Sequence, residues 1–178
     1  MRIARLLLLL ASVFLLALAV TQAQQAQKAQ LLTADELNKL LPANAFLDGQ
    51  NAPVQKRNAV GARIADGKIV LVMMIDTTGF SSQYQEKYVG MLITQGAVEI
   101  GTSKIKPGAY GLGRKKTTVG GKAGESFALY DLGGNPVAEV PAEKDAKLRP
   151  VIPVQLKTEG ATGMRLYLGP YFVNLSSH

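Results

Sequence analysis

The stretch VGARIADGKIVLVMMID, residues 60–76, decides the fold. Asp66-Gly67 is a dipeptide favoured in two-residue hairpin turns, where both central positions of a type I′ turn need a positive φ. Beyond Lys68 comes IVLVMMI, seven apolar residues without interruption. Successive side chains of a strand point to opposite faces, so this strand is apolar on both. The stretch therefore predicts a hairpin whose second strand lies centrally in its sheet or is covered on both sides.

Further apolar or alternating runs follow at 91–95, 97–100, 109–114, 127–131, 137–140, 151–156, 164–168 and 171–175. The segments between them, GTS, KPG, GGKAG, LGGNP, TEGATG and GP, carry turn chemistry. Short strands in close succession, with no long helix among them, predict an all-β protein: an antiparallel β-sandwich, with a small closed β-barrel as the alternative. One short amphipathic helix is expected before the strands, at 33–41. There Thr33 and Glu36 have capping-box spacing, Leu37, Leu40 and Leu41 share a face, and Pro42 disfavours helical geometry at the residue before it.

The N-terminus has the layout of a secretory signal peptide: Arg2 and Arg5, an apolar run over residues 6–20, then Thr21-Gln22-Ala23. The run of 15 residues is short against the roughly 20 that span a bilayer, and cleavage is expected after Ala23. The polar stretch at 24–31 is expected as a flexible leader, and 32–178 as a single β domain. Export predicts a periplasmic or extracellular protein. Two positive charges leave with the signal, so the formal charge falls from +7 to +5, which suits anionic lipid or polysaccharide as well as ordinary solubility. The chain contains no cysteine, so no disulfide reinforces it and its stability rests on packing.

The residue inventory narrows the chemistry. The one histidine is His178. A Ser-His-Asp triad and a histidine-based zinc site are therefore not expected, and neither a metal nor a cofactor is implied. No run of acidic residues has calcium-loop spacing. Asp76, in IDTTG, resembles the strand-end aspartate of aspartic proteases and that of haloacid-dehalogenase-type phosphotransferases. The extra threonine before Gly79 and the lack of a second D-T-G depart from the first pattern. The second implies a parallel α/β sheet that the strand rhythm does not supply. Asp76 with Thr77 reads more simply as a strand cap that starts a turn.

GFSSQYQEKYVG, residues 79–90, is the longest break in the strand rhythm, and such segments carry function more often than the scaffold does. Ser81 or Ser82 can cap a single helical turn there, which sets Tyr84 and Tyr88 on one face at i, i+4 spacing. Core packing against the sheet is the favoured role for that pair. As candidate ligand-binding residues the sequence offers Asp76, Tyr84, Lys87 and Tyr88, with no catalytic residue assigned.

KIKPGAYGLGRKK, residues 104–116, looks at first like a phosphate loop. No capped helix follows its glycines, as a nucleotide loop requires. The expected form is a tight turn at Pro107-Gly108 feeding a strand with glycine on one face, open to close approach by a neighbour, and ending in solvated Arg114, Lys115 and Lys116. Pro107, Gly108, Tyr110 and Leu112 match P-G-x-Y-x-L. That pattern is similar to a strand-turn-strand signature of secreted β-sandwich domains of the carboxypeptidase-regulatory and prealbumin-like type, and the whole layout looks like uncharacterised bacterial exported proteins. The resemblance implies a β-sandwich and brings no catalytic residues.

Together these features predict an exported, non-enzymatic protein that binds or scaffolds something in the cell envelope, whether polysaccharide, lipid or protein. Nucleic acid is not an expected partner. The alternatives are a lipocalin-like barrel carrying an apolar ligand, an outer-membrane barrel, and a carboxylate-dependent enzyme centred on Asp76 with Glu86 or Lys87.

Overall fold

The computed structural model describes residues 29–64, 67–119, 122–160 and 163–177. The expected signal segment, its cleavage point after Ala23, the first part of the leader, Asp66 and His178 lie outside the described residues. Thirteen strands join into one sheet: β1 (Gln30–Leu31), β2 (Asn44–Leu47), β3 (Gln50–Arg63), β4 (Ile69–Ile75), β5 (Gly90–Thr94), β6 (Val98–Ile100), β7 (Ser103–Ile105), β8 (Gly108–Val119), β9 (Lys122–Tyr130), β10 (Pro136–Lys144), β11 (Val154–Glu159), β12 (Gly163–Leu168) and β13 (Tyr171–Ser177). Two short helices, α1 (Ala34–Leu40) and α2 (Ser82–Lys87), interrupt them. The main path runs β1-β3-β4-β5-β8-β9-β10-β13-β12-β11, with β2 added to β3 and the hairpin β6–β7 added to β13. All pairings are antiparallel.

The protein is thus all-β, as expected. β11 comes against β1, β3 and β4 at the other end of the path, so the sheet curls into a nearly closed barrel. Sandwich and barrel converge in this form, because one continuous sheet folds over a single apolar interior. The joint between β10 and β13 is narrow, holding only the pairs Glu143↔Phe172 and Lys144↔Tyr171.

β4 explains why the two larger apolar clusters lie on opposite faces of the sheet. Val70 and Val72 point into the barrel, where they meet Leu92, Leu112, Phe127, Leu129 and Leu166. Ile69, Leu71, Met73 and Ile75 point outward into a second cluster with Leu47, Tyr84, Tyr88 and Tyr130. The uninterrupted apolar run at 69–75 is covered on both faces, as its sequence requires. The outer cover is made of α1, β2 and α2. The hairpin before β4 is also present: Arg63 pairs with Ile69, and Gly67 has a φ of 70°.

α1 is seated by its own cap and by a glycine. Thr33 Oγ1 accepts from the Glu36 backbone N–H, and Glu36 Oε2 accepts from the Thr33 N–H at 2.9 Å. The other carboxylate oxygen of Glu36 takes Arg63 Nη2 of β3 at 2.8 Å. Leu37 and Leu32 crowd Gly61, where an added Cβ would lie within 3.0 Å of either. The last two residues of the expected leader, Gln30 and Leu31, pair with Arg63 and Ala62.

Several boundaries differ from expectation. β11 runs Val154–Glu159 rather than 151–156. β2 and β7 carry no long apolar run and were not expected as strands. β8 and β9 extend to Val119 and Lys122, which pair directly, so most of the expected GGKAG turn is strand. β-branched Thr117 and Thr118 favour the extended form. Consequently Arg114 and Lys115 sit in mid-strand, where Arg114 Nε donates to Glu125 Oε2 at 2.7 Å and Lys115 Nζ to Glu139 Oε2 at 2.8 Å. Among the described residues no helix is long and apolar enough to cross a membrane.

The Glu36 carboxyl is held down from 4.5 to about 2, first by Arg63 and then by the bonds to Thr33. A depressed carboxylate contributes stability that is present above the ordinary value and lost as pH falls through the folded one. Wild type and Glu36→Gln should therefore differ in Tm at neutral pH. The gap should close between pH 4.5 and about 2 when thermal unfolding is followed by circular dichroism at each pH.

Candidate functional site

α2 stands on β8 because that strand offers no side chains beneath it. A Cβ on Gly111 would lie 2.5 Å from the Tyr88 ring, and one on Gly113 would collide with the Lys87 carbonyl. Both glycines fall on the outward face of β8, whereas Tyr110 and Leu112 face the barrel interior. The close approach expected of a glycine-faced strand is therefore made by α2. Ser81 caps the helix, its Oγ accepting from the Tyr84 N–H at 3.3 Å.

With the helix seated, Tyr84 and Tyr88 turn toward the sheet and join a file of rings. Phe80 stacks on Tyr84 at 4.8 Å, Tyr84 meets Tyr88 at 4.8 Å, and Tyr88 meets Tyr130 of β9 edge-on at 5.5 Å. Such pairs add about 0.5–1.5 kcal/mol each beyond the area they bury. The file runs from half-buried Phe80 to the barrel wall.

Lys87 leaves the helix on the side of this file. Its Nζ lies 5.1 Å from the centroids of both Tyr88 and Tyr130 and donates to Asp48 Oδ2 at 3.0 Å. Asp48 belongs to the β2–β3 turn. Leu47 pairs with Gln50, and Asp48 and Gly49 have φ of 52° and 74°, as a type I′ turn requires. A third segment closes over the ion pair. The loop at 131–135 is braced by Asp131, whose Oδ1 accepts from the Asn135 N–H at 2.8 Å. The Asp48 N–H donates to the Leu132 carbonyl at 2.8 Å. Gly134 lies so close that a Cβ there would come within 2.6 Å of Lys87 Nζ.

Between the β2–β3 turn and residues 78–87 opens a cleft of about 520 Å³, within the usual span of about 300–1,000 Å³ for small-molecule sites. Its lining carries the Asp48–Lys87 pair together with Gln50, Thr78, Ser81 and Gln83. Phe80 and Tyr84 supply its aromatic surface.

Of the candidates offered by the sequence, Tyr84 and Lys87 line the cleft, and Tyr88 supports it from below. Asp76 does not line it. Its Oδ1 accepts from the Thr78 N–H at 3.0 Å, and Thr78 lowers its pKa through both hydroxyl and backbone. Asp76 is thus the strand cap and turn starter of its simplest reading, and it shapes the segment that carries Thr78. Asp48, Gln50, Phe80 and Gln83 were not singled out from sequence. For Asp48 a signal existed: Asp48-Gly49 is the same dipeptide as Asp66-Gly67.

Burial pulls the Lys87 ammonium down, but the Asp48 carboxylate and the Tyr88 hydroxyl more than offset this, leaving its pKa raised. Burial raises Tyr84 and Tyr88 as well. The cleft thus presents a protonated lysine and neutral phenols. Among the described residues no three His, Cys, Asp or Glu side chains gather as a metal site. Compared with known protein families, with curated proteins and with solved structures, the chain matches none.

One feature of the file is costly. The hydroxyls of Tyr84 and Tyr88 are buried without a hydrogen-bond partner among the described residues; Lys87 Nζ stands near the Tyr88 hydroxyl but outside bonding geometry. An unsatisfied buried hydroxyl costs about 1–3 kcal/mol. Tyr88→Phe should therefore hold or raise the unfolding free energy, whereas Tyr88→Ala should cost about 3–5 kcal/mol, both read by denaturant titration. Gly111→Ala, which drives a methyl into the same ring, should cost about 1–3 kcal/mol. Gly133→Ala, whose methyl meets nothing closer than 3.4 Å, serves as its control.

Proposed function

We propose that the protein is exported and acts by binding rather than by catalysis, with the cleft between Asp48 and the 78–87 segment as its ligand site. The observation that carries this is the convergence of two chain segments, 48–50 and 78–87, on one open cleft, where an ion pair, free amides and aromatic faces meet. Export rests on the signal-like N-terminus. The site lies on the outer cover of the barrel, where ligand entry needs no opening of the sheet.

The carrier alternative has less support. The barrel interior is filled by side chains such as Val72, Leu92, Phe127 and Leu166, each at most 1% exposed, and an apolar guest would have to displace them. Enzymatic action finds little support at Asp76, which is exposed and committed to its turn. Glu86 is exposed on α2 and does not line the cleft.

The test is backbone-amide NMR of the purified protein titrated separately with cell-envelope polysaccharide, phospholipid vesicles and envelope protein extract. Shifts concentrated at residues 48–50 and 78–87 in one titration are expected. Shifts confined to interior residues such as Leu92 and Leu166 would replace this reading with the carrier, and the absence of any saturable shift would remove it.

A further inference from the structure

The cleft's own chemistry narrows the ligand, on the premise that this cleft is the binding site. Its two charged groups, Asp48 and Lys87, are paired at 3.0 Å and cancel, so no net charge is on offer to an anion or a cation. Of the carboxylates flanking the cleft in sequence, Asp76 is turned to the Thr78 N–H and neither it nor Glu86 lines the cleft. What remains free is neutral and two-sided. The side-chain amides of Gln50 and Gln83 make no hydrogen bond with another described residue, and an amide presents both donors and an acceptor. The Ser81 hydroxyl oxygen already accepts the Tyr84 N–H and the Thr78 hydroxyl stands against Asp76, so each keeps only part of its bonding capacity for a ligand.

Beside these groups the cleft carries Phe80, braced from behind by Tyr84 at 4.8 Å. A ring fixed in this way is a flat apolar platform that loses little conformational freedom when something settles on it. Tyr84 adds a second cue. It is 6% exposed and lines the cleft, while its hydroxyl is buried on the sheet side, so what it adds to the wall is aromatic surface. A lipid tail would leave these amides and hydroxyls unpaired, at about 1–3 kcal/mol each where they become buried. A phosphate or carboxylate would have to compete with Asp48 for Lys87.

We propose that the cleft binds a neutral saccharide. A pyranose unit has an apolar face of C–H groups to lay on Phe80 and a rim of hydroxyls, each both donor and acceptor, to meet Gln50, Gln83, Thr78 and Ser81. The ion pair fixes the cleft wall and offers Asp48 as an acceptor for one ligand hydroxyl. The ordering of the wall around Phe80 sets the preference for a ring over a flexible polyol.

The experiment is isothermal titration calorimetry of the purified protein against cellobiose, maltose, chitobiose, a tri-galacturonate and phosphatidylglycerol vesicles. Saturable binding of at least one neutral disaccharide is expected. It should weaken at least tenfold in Phe80→Ala and severalfold in Gln83→Ala, an exposed position whose replacement leaves the circular dichroism spectrum unchanged. Binding of only the galacturonate or the vesicles, lost in the same variants, overturns the saccharide assignment while leaving the cleft as the ligand site. Binding of any probe that neither variant affects, or no binding at all, overturns both.

Discussion

A strand that is apolar on both faces cannot lie against water, and in this protein β4 imposes that demand between β3 and β5. On one side it is met by curling the sheet until Val70 and Val72 face the far strands across the barrel. On the other side a covering layer is needed over Ile69, Leu71, Met73 and Ile75, and α1, β2 and α2 provide it. The candidate site is a by-product of this cover. β2 must turn back into β3, which places Asp48, and α2 must lie on β8, which places Lys87 and the tyrosines. The cleft is the space left between two pieces of the same lid.

The glycines of β8 are the complementary half of that constraint. A six-residue helix cannot hold its own shape in isolation, since helix nucleation costs more than so few hydrogen bonds return. Gly111 and Gly113 let the backbone of α2 approach the sheet closely enough for Tyr88 to be fully buried, and that burial holds the helix. A pattern that resembles a nucleotide loop thus turns out to be a seat, and the lysine next to the seated tyrosine is fixed with it.

Local rules were legible in the sequence and long-range ones were not. The Asp66-Gly67 hairpin, the Thr33–Glu36 capping box, the i, i+4 tyrosines and the two-faced strand each rest on residues within a few positions of one another. The pairing of Lys87 with Asp48 spans 39 positions, and nothing local announces that the β2–β3 turn will arrive beside α2. β2 escaped notice because NAFL is too short for a visible alternation, although its turn dipeptide was in plain view. Asp76 attracted attention through its chemistry. Its actual role, an acceptor for a backbone N–H two residues on, is the commonest one open to an aspartate at the end of a strand.

The file of rings from Phe80 to Tyr130 also gives the protein an optical property. The chain has no tryptophan and six tyrosines, and three of them, Tyr84, Tyr88 and Tyr130, stand in contact in this one file. Near-ultraviolet absorption and emission therefore draw heavily on rings packed at one end against the cleft, with no brighter indole elsewhere to mask them. Anything that shifts Phe80 against Tyr84 alters the surroundings of the first tyrosine in the row, and the close ring spacing couples that change to the next two. The molecule carries its own unlabelled reporter beside the cleft lined by Phe80 and Tyr84.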